Sequence, residues 1–183
     1  MKNLIVLSFI LCASIVKAQD KFFTKSGSVT FHSKAPLENI EANHKSVTCV
    51  LDTKTGNMQF AVLMKGFEFE KALMQEHFNE NYVESHKYPK ADFKGQVLNN
   101  NEINYTKEGT YSAKVKGMLT IHGETREVET KGTIVVKQDK LLTVAEFIIL
   151  LSDYKIEIPR LVKDNISNNV KITVDCSLEP LKG

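Results

Sequence analysis

The chain has 183 residues, 42% of them hydrophobic and 25% charged, with 24 lysines and arginines against 22 acidic residues and no tryptophan. That length suits one domain able to bury a sizeable core without disulfides. Near-balanced charge with no acidic or basic run gives no electrostatic case for nucleic acid or an anionic membrane as partner.

Residues 1–18 have the layout of a secretory signal peptide. Met1-Lys2-Asn3 is a short basic start, Leu4 to Ile15 an apolar core, and Val16-Lys17-Ala18 a small-residue cleavage site before Gln19. The apolar run is short for a membrane span. Leu11 before Cys12 argues against a lipidated cysteine, which follows a small residue. The leader holds Lys2 and Lys17 and no acid, so the mature domain, 19–183, is expected to be neutral overall and periplasmic or secreted.

The mature chain opens with strand spacing. Val29 and Phe31 predict a first strand over about 27–34, and Pro36 near the start of 35–40 predicts a single helical turn. A second strand follows from Ser46 to Asp52. Thr53 to Asn57 has turn composition, and Met58 to Lys65 is a third strand with Phe60, Val62 and Met64 on one face. The rhythm then breaks. Phe69, Leu73, Met74, His77 and Phe78 recur near the helical period, which predicts a short helix over 70–79. Tyr88-Pro89 is extended, and Ala91, Phe93, Gly95 and Val97 resume alternation as a fourth strand. Leu98 to Glu102 is a polar turn, after which Ile103 to Thr106 is expected to extend the pairing.

The stretch from Gly109 to Val136 has the strongest pattern. Tyr111, Ala113, Val115, Gly117, Leu119 and Ile121 alternate with polar residues, the chain turns at His122-Gly123-Glu124-Thr125, and Val128, Thr130, Gly132, Ile134 and Val136 alternate again. Two long amphipathic strands around a glycine-containing turn predict a hairpin. Gly117 and Gly132 sit at inward positions, where they leave room for a cavity or allow a close backbone approach. Leu141 to Leu151 is the most apolar stretch, a strand with Thr143, Ala145, Phe147 and Ile149 on one face. A short extended piece over 153–158 and a last strand over 170–178 complete the chain.

The sum is an all-β chain, an antiparallel barrel of about eight strands in hairpin order with a short inserted helix. A barrel of that size encloses little more than its own side chains or one small ligand. The alternation places Phe31, Val62, Phe93, Val115, Leu119, Ile134, Phe147 and Val174 on the inner wall as candidate ligand-binding residues. If they leave a void, an apolar chain entering it gains about 0.8 kcal/mol per buried methylene. If they fill the barrel, the domain is a structural or interaction module.

Cys49 and Cys176 share a face with apolar neighbours. They are either buried free thiols or, if the first and last strands are neighbours, a disulfide closing the barrel. His77, Glu80, Glu84 and His86 are the only clustered candidate metal ligands, at a spacing that matches no compact metal motif. No nucleophile elbow, phosphate loop or HExxH pattern occurs. The alternative of a lipid-modifying hydrolase would have to rest on His77 or His122, and a turn histidine such as His122 serves turn hydrogen bonding more readily than acid–base work.

Three stretches carry a family resemblance: Gly117-Met118-Leu119-Thr120-Ile121-His122-Gly123-Glu124-Thr125-Arg126, Tyr88-Pro89-Lys90-Ala91-Asp92-Phe93 and Ser152-Asp153-Tyr154-Lys155-Ile156. In this order, behind an export leader, they resemble the YceI-like lipid/polyisoprenoid-binding family across the whole mature chain. The resemblance implies a lipocalin-like barrel that holds an isoprenoid quinone, a polyprenyl or a fatty-acyl compound. It also implies export, no catalysis, no cofactor and, in many members, a homodimer. One departure stands out. Gln75-Glu76-His77-Phe78-Asn79-Glu80-Asn81-Tyr82 replaces the Asp-x-His-Leu pattern that many members carry before the Tyr-Pro segment, so the lid over the pocket is expected to differ.

Overall fold

The computed structural model describes residues 20–181, so the expected leader lies outside the described residues. The long alternating stretches form long strands. They are β1 (Lys21–Lys34), β2 (Asn39–Asp52), β3 (Asn57–Leu63), the two-residue β4 (Glu68–Phe69), β5 (Lys90–Val97), β6 (Gly109–Ile121), β7 (Glu124–Lys137), β8 (Lys140–Leu150) and β9 (Asn169–Pro180). One helix, α1 (Ala72–His77), runs into a wider π-turn, Phe78–Tyr82. Strands β1, β9, β8, β7, β6, β5, β3 and β2 follow one another around the wall, every pair antiparallel, and β1 pairs with β2 to close an eight-stranded barrel. Closure removes the free edges of an open sheet. β4 lies outside that circuit, against Ala42 and Asn43 of β2.

Three local expectations need correction. Residues 35–38 make no helical turn. Pairing of β1 with β2 runs out to Lys34 opposite Asn39, which leaves only 35–38 for the connection, and the Ala35 N–H donates to the Glu38 carbonyl at 3.0 Å to close that tight loop. Residues 103–106 extend no pairing and form a turn instead. Residues 151–154 are a 3-10 turn, not an extended piece. It ends where Lys155 takes a left-handed conformation and the Ile156 N–H returns to the Leu151 carbonyl at 3.1 Å. A strand and this turn bury the same two side chains, Tyr154 and Ile156, so alternation could not tell them apart.

The core has two parts. Cys49, Leu51, Met58, Val97, Leu141, Cys176 and Leu178 pack the end that carries the 53–56 and 138–139 turns. Val47, Met64, Phe67, Val83, Tyr154, Ile156 and Val170 form the second cluster toward the opposite end, where α1 and the 151–168 segment lie.

Cys49 and Cys176 are both fully buried free thiols, hydrogen-bonded to each other across β1. Contact with Cys176, and then burial, push the Cys49 thiol above its ordinary range. Gly27 of β1 makes the contact possible, because a Cβ there would come within 2.5 Å of the Cys176 sulfur.

Candidate ligand cavity

The barrel is hollow toward its second end. A cavity of about 410 Å³ lies inside it, within the range of small-molecule sites. Phe31 of β1, Val62 of β3, Phe93 of β5, Val115 and Leu119 of β6, Ile134 of β7, Phe147 of β8 and Val174 of β9 all stand on its wall. The structure therefore brings the eight sequence-selected residues around one space, from seven strands.

Sequence reasoning missed the plug. β2 pairs with β3 only from Thr48 to Leu51, so the wall parts beyond that point. The 64–82 segment folds into the parting and brings Phe67, Phe69 and Phe78 against Phe31, with ring centroids 5.3, 5.6 and 5.5 Å away. The three pairs are tilted, edge-on and stacked in turn, and ring pairs at this separation favour one another beyond the area they bury. The buried His44 spans the same parting. Its Nδ1 accepts from the Ser46 N–H at 3.1 Å, so Nε2 carries the proton and donates to the Leu63 carbonyl at 3.0 Å. The helical spacing at 69–78 pointed to this segment, but nothing in it said which strands it would wedge apart.

The wall carries no lysine or arginine among its lining residues. Its carboxylates are Glu38 and Asp92. Asp92 is ion-paired with Lys90 at 3.1 Å. Glu38, at the rim, accepts from Lys71 Nζ at 3.1 Å and from Asn165 Nδ2 at 3.4 Å. Leu37, Leu73 and Leu161 stand exposed on the segments that meet at this rim.

The candidate metal cluster comes apart. Glu84 turns to His122, whose Nε2 lies 2.8 Å from its carboxylate, and the described residues contain no group of three or more side chains placed to hold a metal ion. That contact with His122 holds the Glu84 carboxyl below its ordinary value.

The three motif stretches meet in the same place. His122 and Gly123 both have positive φ, 51° and 76°, and form a two-residue hairpin turn tighter than the four residues read from sequence. The Tyr88 ring packs edge-on against the His122 ring at 4.6 Å, and a Cβ on Gly123 would come within 2.6 Å of it. His122 Nδ1 lies 3.0 Å from the Tyr154 carbonyl oxygen, and Lys155 pairs with Glu124. Both Gly117 and Gly132 allow close backbone approach. A Cβ at Gly117 would stand 2.5 Å from the Gly95 Cα, and one at Gly132 would stand 2.8 Å from the Val144 carbonyl oxygen. Gly132 also lines the cavity.

The YceI-like domain family matches residues 14–178. The protein belongs to the YceI-like family. A solved polyisoprenoid-binding domain from Saccharophagus degradans, described as implicated in plant cell wall breakdown, is similar in fold at 13% identity and a TM-score of 0.76, covering 90% of this chain and 100% of that one. BcnA of Burkholderia cenocepacia is 17% identical with a TM-score of 0.69, over 83% of this chain and 95% of that one. The YceI protein of Campylobacter jejuni is 16% identical with a TM-score of 0.59, over 77% and 85%. No curated protein matches the chain significantly. In this YceI-like protein the family-bearing motifs form a knot that ties the β6–β7 turn to the 83–89 and 151–156 segments. Its hydrogen bonds and ring contact lie at the turn, while Phe93 and Leu119 of the same motif stretches reach the cavity wall, as do Ile121, Leu151 and Ile156.

Proposed function

We propose that this YceI-like protein sequesters or carries a long-chain apolar ligand, a polyisoprenoid-type molecule such as an isoprenoid quinone or polyprenyl compound, or a fatty-acyl compound, outside the cytoplasm. The observation that carries the reading is the apolar cavity, walled by aromatic and branched side chains and free of lysine and arginine. A hydrocarbon tail gains about 0.8 kcal/mol for each methylene moved from water into such a space. An anionic head finds no cation on the wall, and the Glu38 carboxylate stands at the rim, so uncharged ligands are favoured. The similar domain described as polyisoprenoid-binding supports the ligand class, and the leader-like residues 1–18 support export.

Native mass spectrometry of the protein, followed by solvent extraction, tests the proposal. The expected result is a co-purifying lipid, or uptake of a long-chain quinone or fatty amide at one molecule per chain. A lipid-free preparation that takes up neither would overturn it and leave the barrel as an interaction module.

A further inference from the structure

One seam of the barrel is paired over only part of its length. β7 begins at Glu124 and β8 runs to Leu150, yet the two pair only from Gly132–Ala145 to Lys137–Lys140. Their other sides are fully laddered, β7 with β6 from Ile121–Glu124 and β8 with β9 out to Leu150–Asn169. Glu124 to Lys131 and Glu146 to Leu150 therefore present facing backbone edges to a gap.

The ends of the gap are defined. At the crotch the Thr130 hydroxyl donates to the Glu146 carbonyl at 2.7 Å, where a ladder bond would otherwise lie. At the far end the turn around Tyr154 packs against the start of β7 through His122 and Glu124. Between them the cavity reaches both edges, at Val128 and Thr130 on one side and Phe147 and Ile149 on the other.

Among the described residues, no loop or turn backbone bonds to either edge. Backbone N–H and C=O groups in a wall need partners. Along the β6–β7 and β8–β9 seams the ladder supplies them. Here the Arg126 guanidinium donates to the Thr125 carbonyl and the Thr130 hydroxyl to the Glu146 and Lys131 carbonyls, and the groups left over are open to water or a ligand. The tail has apolar wall everywhere else, so its polar end gains hydrogen bonds by lying in this gap. An ionic end gains little, because the cavity lining offers no lysine or arginine, its carboxylates lie on β5 and in the β1–β2 loop, and Arg126 on the β7 edge is already paired with Glu124 at 3.4 Å.

We propose that the gap between β7 and β8 seats the polar end of the ligand, and that this end is an uncharged hydrogen-bonding group such as a hydroxyl, amide or ketone. The inference rests on the reading of the barrel as a container for an apolar chain. Two probes with one tail test it: 1-dodecanol and dodecane, each loaded into the full mature protein, with hydrogen exchange followed by peptide. The expected result is slower exchange at 127–131 and 146–150 with dodecanol than with dodecane. Equal exchange with both probes, or dodecanol-specific protection at 33–40 and 160–166, would overturn the seat. If neither probe enters the barrel, the container reading falls and the seat with it.

Discussion

The two ends of this barrel are built from the same alternating strands and end up different. At one end Leu51, Leu141, Leu178 and the two thiols are almost fully buried and leave no comparable space. At the other, Phe31, Phe69, Phe78, Phe147 and Ile172 are only partly buried, and each lines the cavity. What separates the ends is pairing. Where β2–β3 and β7–β8 are laddered the wall draws together, and where those pairs part it widens. The first parting is closed by an aromatic plug, and the second keeps its edges unpaired.

Truncations at the two ends give the largest test of that contrast. Leu51→Ala is expected to cost about 2–5 kcal/mol in urea unfolding, the usual penalty for a cavity opened in a packed core. Phe147→Ala, whose ring already faces empty space, is expected to cost under about 2 kcal/mol, since fewer contacts are lost. Equal costs would show that the hollow end is packed after all. Gly117→Ala forces a Cβ against the Gly95 backbone, and a loss of about 1–3 kcal/mol should appear as a lower melting temperature. A neutral outcome would mean that β5 and β6 can separate at that level.

Filling the hollow should separate stability from binding. Val62→Trp is expected to shift stability by less than about 1 kcal/mol while weakening uptake of an apolar fluorescent probe about tenfold. The same substitution at Val97, in the packed end, should unfold the protein. The smallest effect concerns the knot. Glu84 is held below its ordinary value by His122, so its contribution is present above the unfolded carboxylate value of about 4.3 and is lost as pH falls through the lower folded value. Melting temperatures should fall more steeply from about pH 5 to about pH 3 in the parent than in Glu84→Gln. Parallel curves would show that the 83–89 segment is held without this pair.

Much of the fold was legible because alternation reports which face of a strand is wet, and it does so locally. Val115, Leu119, Ile134 and Phe147 could be placed on an inner wall from spacing alone. Burial is not conformation, however. Tyr154, in a 3-10 turn, and Ile156, just after it, are buried two residues apart as they would be in a strand. His122 was read as making turn hydrogen bonds, but its side chain instead bonds Glu84 and the Tyr154 carbonyl and packs on Tyr88, partners that lie far away in sequence.

By itself, then, the sequence determined the strands, their faces, the hairpin order and the family, because each depends on a repeat or motif within a few residues. Only the tertiary structure decided where neighbouring strands stop pairing. Strand length does not report register, and a ladder ends where distant segments wedge in or a side chain takes over a backbone bond. The plug at 64–82 and the Thr130–Glu146 contact are such events. They set the size of the hollow and the place where its wall is still polar.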